Sequence, residues 1–175
     1  MTSALRVLPL SQQDILRRLP ELTDILVDCV NGGASVSFML PFHPDKAAAF
    51  WHNVAQSVGE DERVVLAAFN GDGQLLGTVQ LITDFPENQP HRGEVAKLLV
   101  HSRGRRQGIA RMLMDALENT ARGCGKTVLV LDTSTGSGAE TFYQQCGWQK
   151  AGEIPQYALM PEGGLTPTSI FYKLL

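Results

Sequence analysis

This chain of 175 residues predicts an α/β fold, a mixed sheet with helices on both faces. Three observations carry that reading. β-rich runs and helical stripes follow one another as βααββ and then βαβαβ with a last strand. Near the centre, Arg63 to Phe69 and Gln74 to Thr83 are strand-like runs joined by Asn70-Gly71-Asp72-Gly73, a strong hairpin signal. The second half holds two strand, helix, strand units, for which right-handed crossovers are expected.

The elements are justified in order. After a short extended piece, Leu5 to Leu8, Ser11 stands three residues before Asp14, a capping signal. Ile15, Leu19, Leu22, Leu26 and Val30 then recur at helical spacing, predicting a first helix kinked at Pro20 and ended by Asn31-Gly32-Gly33. A loop through Ser35, Phe38 and Pro41 leads to Pro44, which suits a first helical turn, and Ala47, Phe50, Trp51, Val54 and Val58 form the stripe of a second helix. An irregular link, Asp84 to Arg92, follows the hairpin. A strand from Gly93 to Val100 stops at an arginine-rich loop, and Ile109, Met112, Leu113, Ala116 and Leu117 return to helical spacing up to Gly123 and Gly125. Thr127 to Leu131 is a continuous apolar, β-branched run, read as a strand buried on both faces and ended by Asp132. A Ser/Thr/Gly loop, Thr133 to Gly138, precedes a short helix from about Ala139 to Cys146, stopped by Gly147. Extended segments around Gln149 to Tyr157 and Thr168 to Leu174 close the chain. With no repeat, low-complexity tract or linker, residues 1–175 read as one domain.

Composition narrows the function. Lys plus Arg number 15 against 18 Asp plus Glu, a net charge of −3, which speaks against nucleic acid or an anionic membrane as the main partner. The longest uninterrupted apolar run, Val64 to Phe69, is far below the ~18 residues of a membrane span, so neither insertion nor secretion is expected. Cys29, Cys124 and Cys146 are odd in number and lack CxxC spacing, which argues against a disulfide framework and suits a reducing, cytoplasmic location. His43, His52, His91 and His101 have no HxxxH or HxH spacing, so no metal site is expected. Cys146 has no nearby His to activate it and reads as a packing residue.

The segment Val100-His101-Ser102-Arg103-Gly104-Arg105-Arg106-Gln107-Gly108-Ile109-Ala110 sets three arginines and two glycines between a strand and an amphipathic helix. Unpaired N–H groups of such a turn and helix start capture anions, glycine allows close approach, and arginines add charge-assisted hydrogen bonds. A pyrophosphate fits that description; a solvated basic turn is the plainer reading. Other phosphate and nucleophile motifs fail on spacing. Gly125-Lys126-Thr127 resembles the end of a P-loop, but position 120 is Thr and a strand follows. Gly71, Gly73 and Gly77 do not make GxGxxG, and Ser137 lacks a GxSxG frame.

Arg105-Arg106-Gln107-Gly108-Ile109-Ala110 after Leu98-Leu99-Val100, with Phe142-Tyr143-Gln144-Gln145-Cys146-Gly147-Trp148 downstream, resembles the GCN5-related N-acetyltransferases. The first stretch fits that family's R/Q-x-x-G-x-G/A signature and the second its F-Y-x-x-x-G-F segment. Within the family the chain is most similar to the tabtoxin-resistance acetyltransferases, through Gly32-Gly33-Ala34-Ser35-Val36, Glu94-Val95 with Lys97-Leu98, Leu131-Asp132-Thr133 and Thr166 to Lys173. Two departures stand out: Arg106 where many relatives carry Gly, and Ala110 for the commoner final Gly.

The resemblance implies a mostly antiparallel central sheet of about seven strands with a parallel pair at its centre and about four flanking helices. It also implies acetyl-CoA as cosubstrate and no metal. Backbone groups of Leu98, Leu99 and Val100 would pair with the pantetheine arm, and Arg105, Arg106, Gln107, Gly108, Ile109 and Ala110 would cradle the pyrophosphate. Tyr143 matches the general acid. Glu94 stands where some relatives hold a base; Asp132 competes for that role or contacts the substrate, and spacing leaves the choice open. Gly33, Ser35 and Tyr157 are acceptor-pocket candidates by the branch resemblance. The expected activity is direct acetyl transfer to the primary amine of a small, amino-acid-like molecule, with a toxin- or antibiotic-resistance role that rests on the branch alone. A protein or peptide amine as acceptor, a non-catalytic CoA-binding module and a purely structural protein are the alternatives. Family members are often dimers, so a homodimer is one expected state.

Overall fold

The computed structural model describes residues 4–175. Its strands are β1 (Arg6–Leu10), β2 (Arg63–Phe69), β3 (Leu75–Ile82), β4 (Arg92–Val100), β5 (Val128–Ser134), β6 (Gln149–Leu159) and β7 (Leu165–Leu174). The helices are α1 (Gln12–Arg17), α2 (Leu19–Asn31), α3 (Pro44–Gly59), α4 (Ile109–Gly123) and α5 (Gly138–Gln145), with a 3₁₀ turn at Ser102–Gly104. One seven-stranded sheet runs β1-β2-β3-β4-β5-β7-β6. Among the described residues only β4 and β5 pair in parallel, so the expected mixed sheet with a central parallel pair is what the chain forms. β7 lies between β5 and β6, so the second strand, helix, strand unit steps over one position.

Three local expectations are corrected. The first helix is two: α1 opens on the Ser11–Asp14 capping box and ends at Arg18, and Pro20 sits in the opening turn of α2. A proline there forfeits no helical hydrogen bond, so it begins a helix instead of kinking one. β5 runs on past Asp132 to Ser134, because β7 pairs with it from Leu174 back to Thr168. Nor is β5 buried on both faces: Leu129 and Leu131 are covered and Val128 and Val130 only half so.

The reason lies in the two cores. On one face Ile15, Leu22, Leu26, Trp51 and Val54 of α1 to α3 pack on Val65, Ala67, Phe69, Leu75 and Leu99. No residue of β5, β6 or β7 belongs to that cluster among the described residues. On the other face Ile109, Leu113, Leu117 and Ala121 of α4 cover Leu66, Ala68, Val79, Leu81, Leu129 and Leu131, with Tyr143, Trp148 and Phe171 alongside. The period-2 alternation of β2 splits its side chains between the two cores. The first face is therefore left uncovered beyond β4.

That is where the sheet opens. β4 pairs with β5 only from Arg92 to Glu94, opposite Val128 to Val130. Beyond Glu94 a bulge sets Ala96 opposite Gln80 but Leu99 opposite Thr78, and Lys97 at its centre takes a left-handed φ of 54°. Bulges add twist and re-aim side chains, and here the bulge coincides with the parting of β4 from β5. No helix among the described residues is long and apolar enough to cross a membrane.

Candidate active site

The basic loop after β4 has two halves with different partners. In the first, the Ser102 N–H and hydroxyl donate to the Asp28 carboxylate at 2.8 and 2.9 Å, and the Arg103 guanidinium donates to Asp24 at 3.2 Å and to the Leu75 carbonyl at 3.0 Å. His101 Nε2 lies 3.1 Å from Asp24. These contacts staple the turn to α2, so Arg103 is a structural arginine.

The second half is left open. The N–H groups of Arg106 through Arg111 have no acceptor among the described residues, and Met112 N–H is the first to bond back, to Gly108 O at 3.1 Å. Gly108 caps α4 with no side-chain bond, so the orphan donors of the first helical turn run on without a break from those of the loop. The positive end of the α4 dipole adds to them, and such a run is a ready anion site. Arg106 has φ 62° and Gly108 φ 76°. Glycine adopts such left-handed backbone at least cost; arginine at position 106 accepts the strain and adds a cation. The Arg105 and Arg106 guanidiniums pair with no carboxylate among the described residues, and Arg105 lies against the end of α2, 3.5 Å from a Cβ placed on Gly32. The Ile109 side chain is buried beneath the loop, and Gln107 Nε2 donates to Arg103 O at 3.3 Å.

The β4 backbone leads from this loop into the cleft. His101 N–H donates to Leu76 O at 2.8 Å, and Leu99 O points at Gly77. By antiparallel alternation, Leu99 therefore turns its peptide groups to β3 and Val100 turns its own to the gap. The buried Cys29 thiol reaches Val100 O at 3.5 Å.

Where β4 and β5 part there is a cavity of about 520 Å³. It gathers Glu94 and Leu98 of β4, Asp132 of β5 and Tyr143 of α5. Gly33 and Ser35 of the α2–α3 loop and Tyr157 of β6 complete the predicted acceptor and acid–base set around it. Leu99, Val100 and the arginine loop stand outside it, along the approach. Tyr143 is buried by Phe142, Trp148 and Phe171, whose ring centres lie 5.3, 6.1 and 6.1 Å away. Its hydroxyl has no hydrogen-bond partner among the described residues. Burial first, then the Cys146 thiol and Asp132 carboxylate, push its pKa up to about 12, so it stays a neutral donor. Asp132 accepts from Thr168 Oγ1 at 3.1 Å, and Glu94 is partly exposed with Arg92 at 3.9 Å.

Two features carried no role in the sequence reading. Glu140, in the first turn of α5, accepts the Gly136 N–H at 2.7 Å and pairs with Lys150 at 3.1 Å, fixing the loop ahead of Tyr143. The Ser169 hydroxyl, then the Gly136 N–H and Lys150, hold its pKa at about 2. Lys97 lines the cavity and donates to Ser37 Oγ at 3.1 Å; its sequence signal is a lone charge within Val95 to Val100. Lys126 of the P-loop-like triplet instead ties down the carbonyls of Thr83 and Pro90 at 3.1 and 2.8 Å. No cysteine lines the cavity, and burial pushes Cys29 to about 11 and raises Cys146. No trio of His, Cys, Asp or Glu among the described residues is grouped to hold a metal ion.

An anion-binding helix start beside a parted parallel pair, opening on an acid-lined cavity, defines a fold and site suited to an anionic cosubstrate with an amide-bearing arm. Residues 21–148 match the acetyltransferase (GNAT) family, and the chain belongs to it. It is 32% identical over 135 residues to N-acetyltransferase 8 of Rattus norvegicus, covering 67% of this chain and 60% of that protein. The chain thus spans less than two thirds of that relative. In fold it is similar to the ribosomal-protein-alanine N-acetyltransferase of Brucella melitensis, with TM-score 0.81, 22% identity and coverage of 97% and 99% of the two chains. It is also similar to yncA of Salmonella typhimurium, solved with its cofactor acetyl-CoA, with TM-score 0.77, 19% identity and coverage of 99% and 95%.

Proposed function

We propose that this chain is an acetyl-CoA-dependent N-acetyltransferase that moves an acetyl group directly to the primary amine of a small, amino-acid-like molecule. The same proposal puts it in the tabtoxin-resistance branch, in the cytoplasm, with a role in detoxification or resistance. The observation that carries the cosubstrate is the unbroken run of free N–H donors from Arg106 to Arg111 at the head of α4. A diphosphate matches both its charge and its length of donors. Arg105, Arg106, Gln107, Gly108, Ile109 and Ala110 would hold the pyrophosphate by backbone and side chain. Leu98 and Val100 would offer peptide groups to the arm, as a partial added strand, with Leu99 behind them.

When bound, acetyl-CoA supplies an acetyl group activated as a thioester. The protein's own residues do the rest. Glu94 or Asp132, on opposite walls of the cavity, takes a proton from the incoming ammonium so that the amine is free to attack. The Tyr143 hydroxyl, free of other partners, donates towards the departing sulfur. A phenol near pKa 12 is a weaker acid than a solvated one. Burial raises the pKa of a thiolate in the same pocket for the same reason, so donor and acceptor shift together. Direct transfer is supported by a cavity without a cysteine nucleophile. A volume of about 520 Å³ suits a small acceptor.

Thermal unfolding with and without acetyl-CoA tests this before any acceptor is known. At 100 times its Kd the ligand stabilises by about 2.7 kcal/mol, a rise of roughly 5–10 °C for a chain of this size. That rise is expected with acetyl-CoA and not with acetyl-pantetheine at equal concentration. No rise at millimolar acetyl-CoA would remove the proposal.

A further inference from the structure

The acceptor cavity has an uneven distribution of charge. Glu94 and Asp132 place carboxylates on its β4 and β5 walls, and Lys97 is the one cation among its described lining residues. The Lys97 ammonium donates to Ser37 Oγ at 3.1 Å and lies 5.9 Å from the centre of the Phe50 ring. Neither partner carries a charge, and Lys97 forms no ion pair among the described residues. Glu94 and Asp132 face it from beyond contact range, and Arg63 on β2 adds a second positive field. Burial first, then Arg63, lower the pKa of Lys97 against the opposing pull of the Asp132 and Glu94 carboxylates.

Backbone strain marks the same place. Lys97 has φ 54° and Ser37 φ 80°, so two residues other than glycine, 60 positions apart, both adopt left-handed backbone and then hydrogen-bond each other at the cavity wall. Such conformations are strained for residues with a Cβ, and glycine or asparagine would relieve them. An anion bound beside this pair would accept charge-assisted hydrogen bonds from the Lys97 ammonium and a further bond from the Ser37 hydroxyl, whose proton the Lys97 contact leaves free.

We infer that the acetyl acceptor carries, besides its amine, an acidic oxygen group, a carboxylate or similar oxyanion, which Lys97 and Ser37 bind. The inference rests on the acetyltransferase reading and adds the two residues that select the acceptor's acidic group. The two poles also set orientation. Lys97 repels the acceptor's ammonium, which is left to the carboxylates of Glu94 and Asp132 near the Tyr143 hydroxyl.

The test uses matched pairs: glycine, alanine, β-alanine, γ-aminobutyrate and glutamate, each against its primary amide. Transfer is followed by thiol release from acetyl-CoA, and binding to the CoA-saturated protein by calorimetry. At least one acid is expected to exceed its amide about tenfold in kcat/KM, the smaller end of a hydrogen bond to a charged group. Lys97→Gln should bring that ratio to within about threefold of unity and abolish the heat of acid binding. Lys97→Arg should keep the preference. Amides used as well as acids, a ratio unchanged in Lys97→Gln, or no acid bound by a protein that acetyl-CoA does stabilise would each overturn the inference and leave the acetyltransferase reading standing. So would stoichiometric acetylation of Lys97 by acetyl-CoA alone, read by mass spectrometry, since it would put that amine in the acceptor's own place. A protein that acetyl-CoA does not stabilise would overturn both.

Discussion

The basic turn and the acceptor cavity are built in opposite ways. The turn is made by consecutive residues, Arg105 to Arg111, with free backbone N–H groups from Arg106 onward and two unpaired guanidiniums among the described residues. The cavity is made by side chains that reach it from the α2–α3 loop, β4, β5, α5 and β6. A local device is fixed by local sequence: a strand end, left-handed residues and an uncapped helix are enough. An assembled device depends on the register of the whole sheet, so a change in any one wall alters it.

Tyr143→Phe should have the largest effect. With its hydroxyl gone, kcat is expected to fall by about 10²–10⁴-fold while acetyl-CoA affinity moves less than about twofold. An unchanged kcat under chemistry-limited conditions would take Tyr143 out of the acid role and blur the contrast, since the cavity would then only hold ligands. Arg105→Ala acts on the other device. It should weaken acetyl-CoA by about 10–100-fold, the range for a hydrogen bond to a charged group, and leave acetyl-pantetheine as it was. Equal weakening of both would mean that the turn does not read the pyrophosphate. Arg106→Gly has the smallest effect and divides its two consequences. Relief of the left-handed strain, less glycine's added chain entropy, should raise stability by about 0.5–1 kcal/mol, or roughly 1–4 °C, while acetyl-CoA binds more weakly. A lower melting temperature would show that the arginine side chain, rather than its backbone, governs that position.

Legibility in the sequence follows the same division. Element order, the hairpin and the basic turn were all readable, because each is written in neighbouring residues or in a period, whereas the central parallel pair was implied by the family resemblance. The split at Arg18 was not, since a proline reads alike as a kink or as a first turn until Arg18 is seen to end one helix and precede the next. The half-open face of β5 was also hidden: Thr127 to Leu131 has the composition of a doubly buried strand, and only the extent of α1 to α3 decides that one face stays bare. Resemblance drew Glu94, Asp132, Tyr143 and Tyr157 together, and the folded chain sets them round one cavity. Lys97 stood in plain view inside an apolar strand. Its meaning needed the bulge, which no spacing announces, and a serine 60 positions away.

The parting of β4 from β5 has a consequence for the life of the protein in a cell. An unzipped seam in the middle of a sheet exposes the same sticky row of amides that makes free strand edges prone to join other chains. Here the row lies recessed in a cleft and would be filled only while cosubstrate is present. Breathing of the chain, and with it attack by proteases, should then slow as the supply of acetyl-CoA rises.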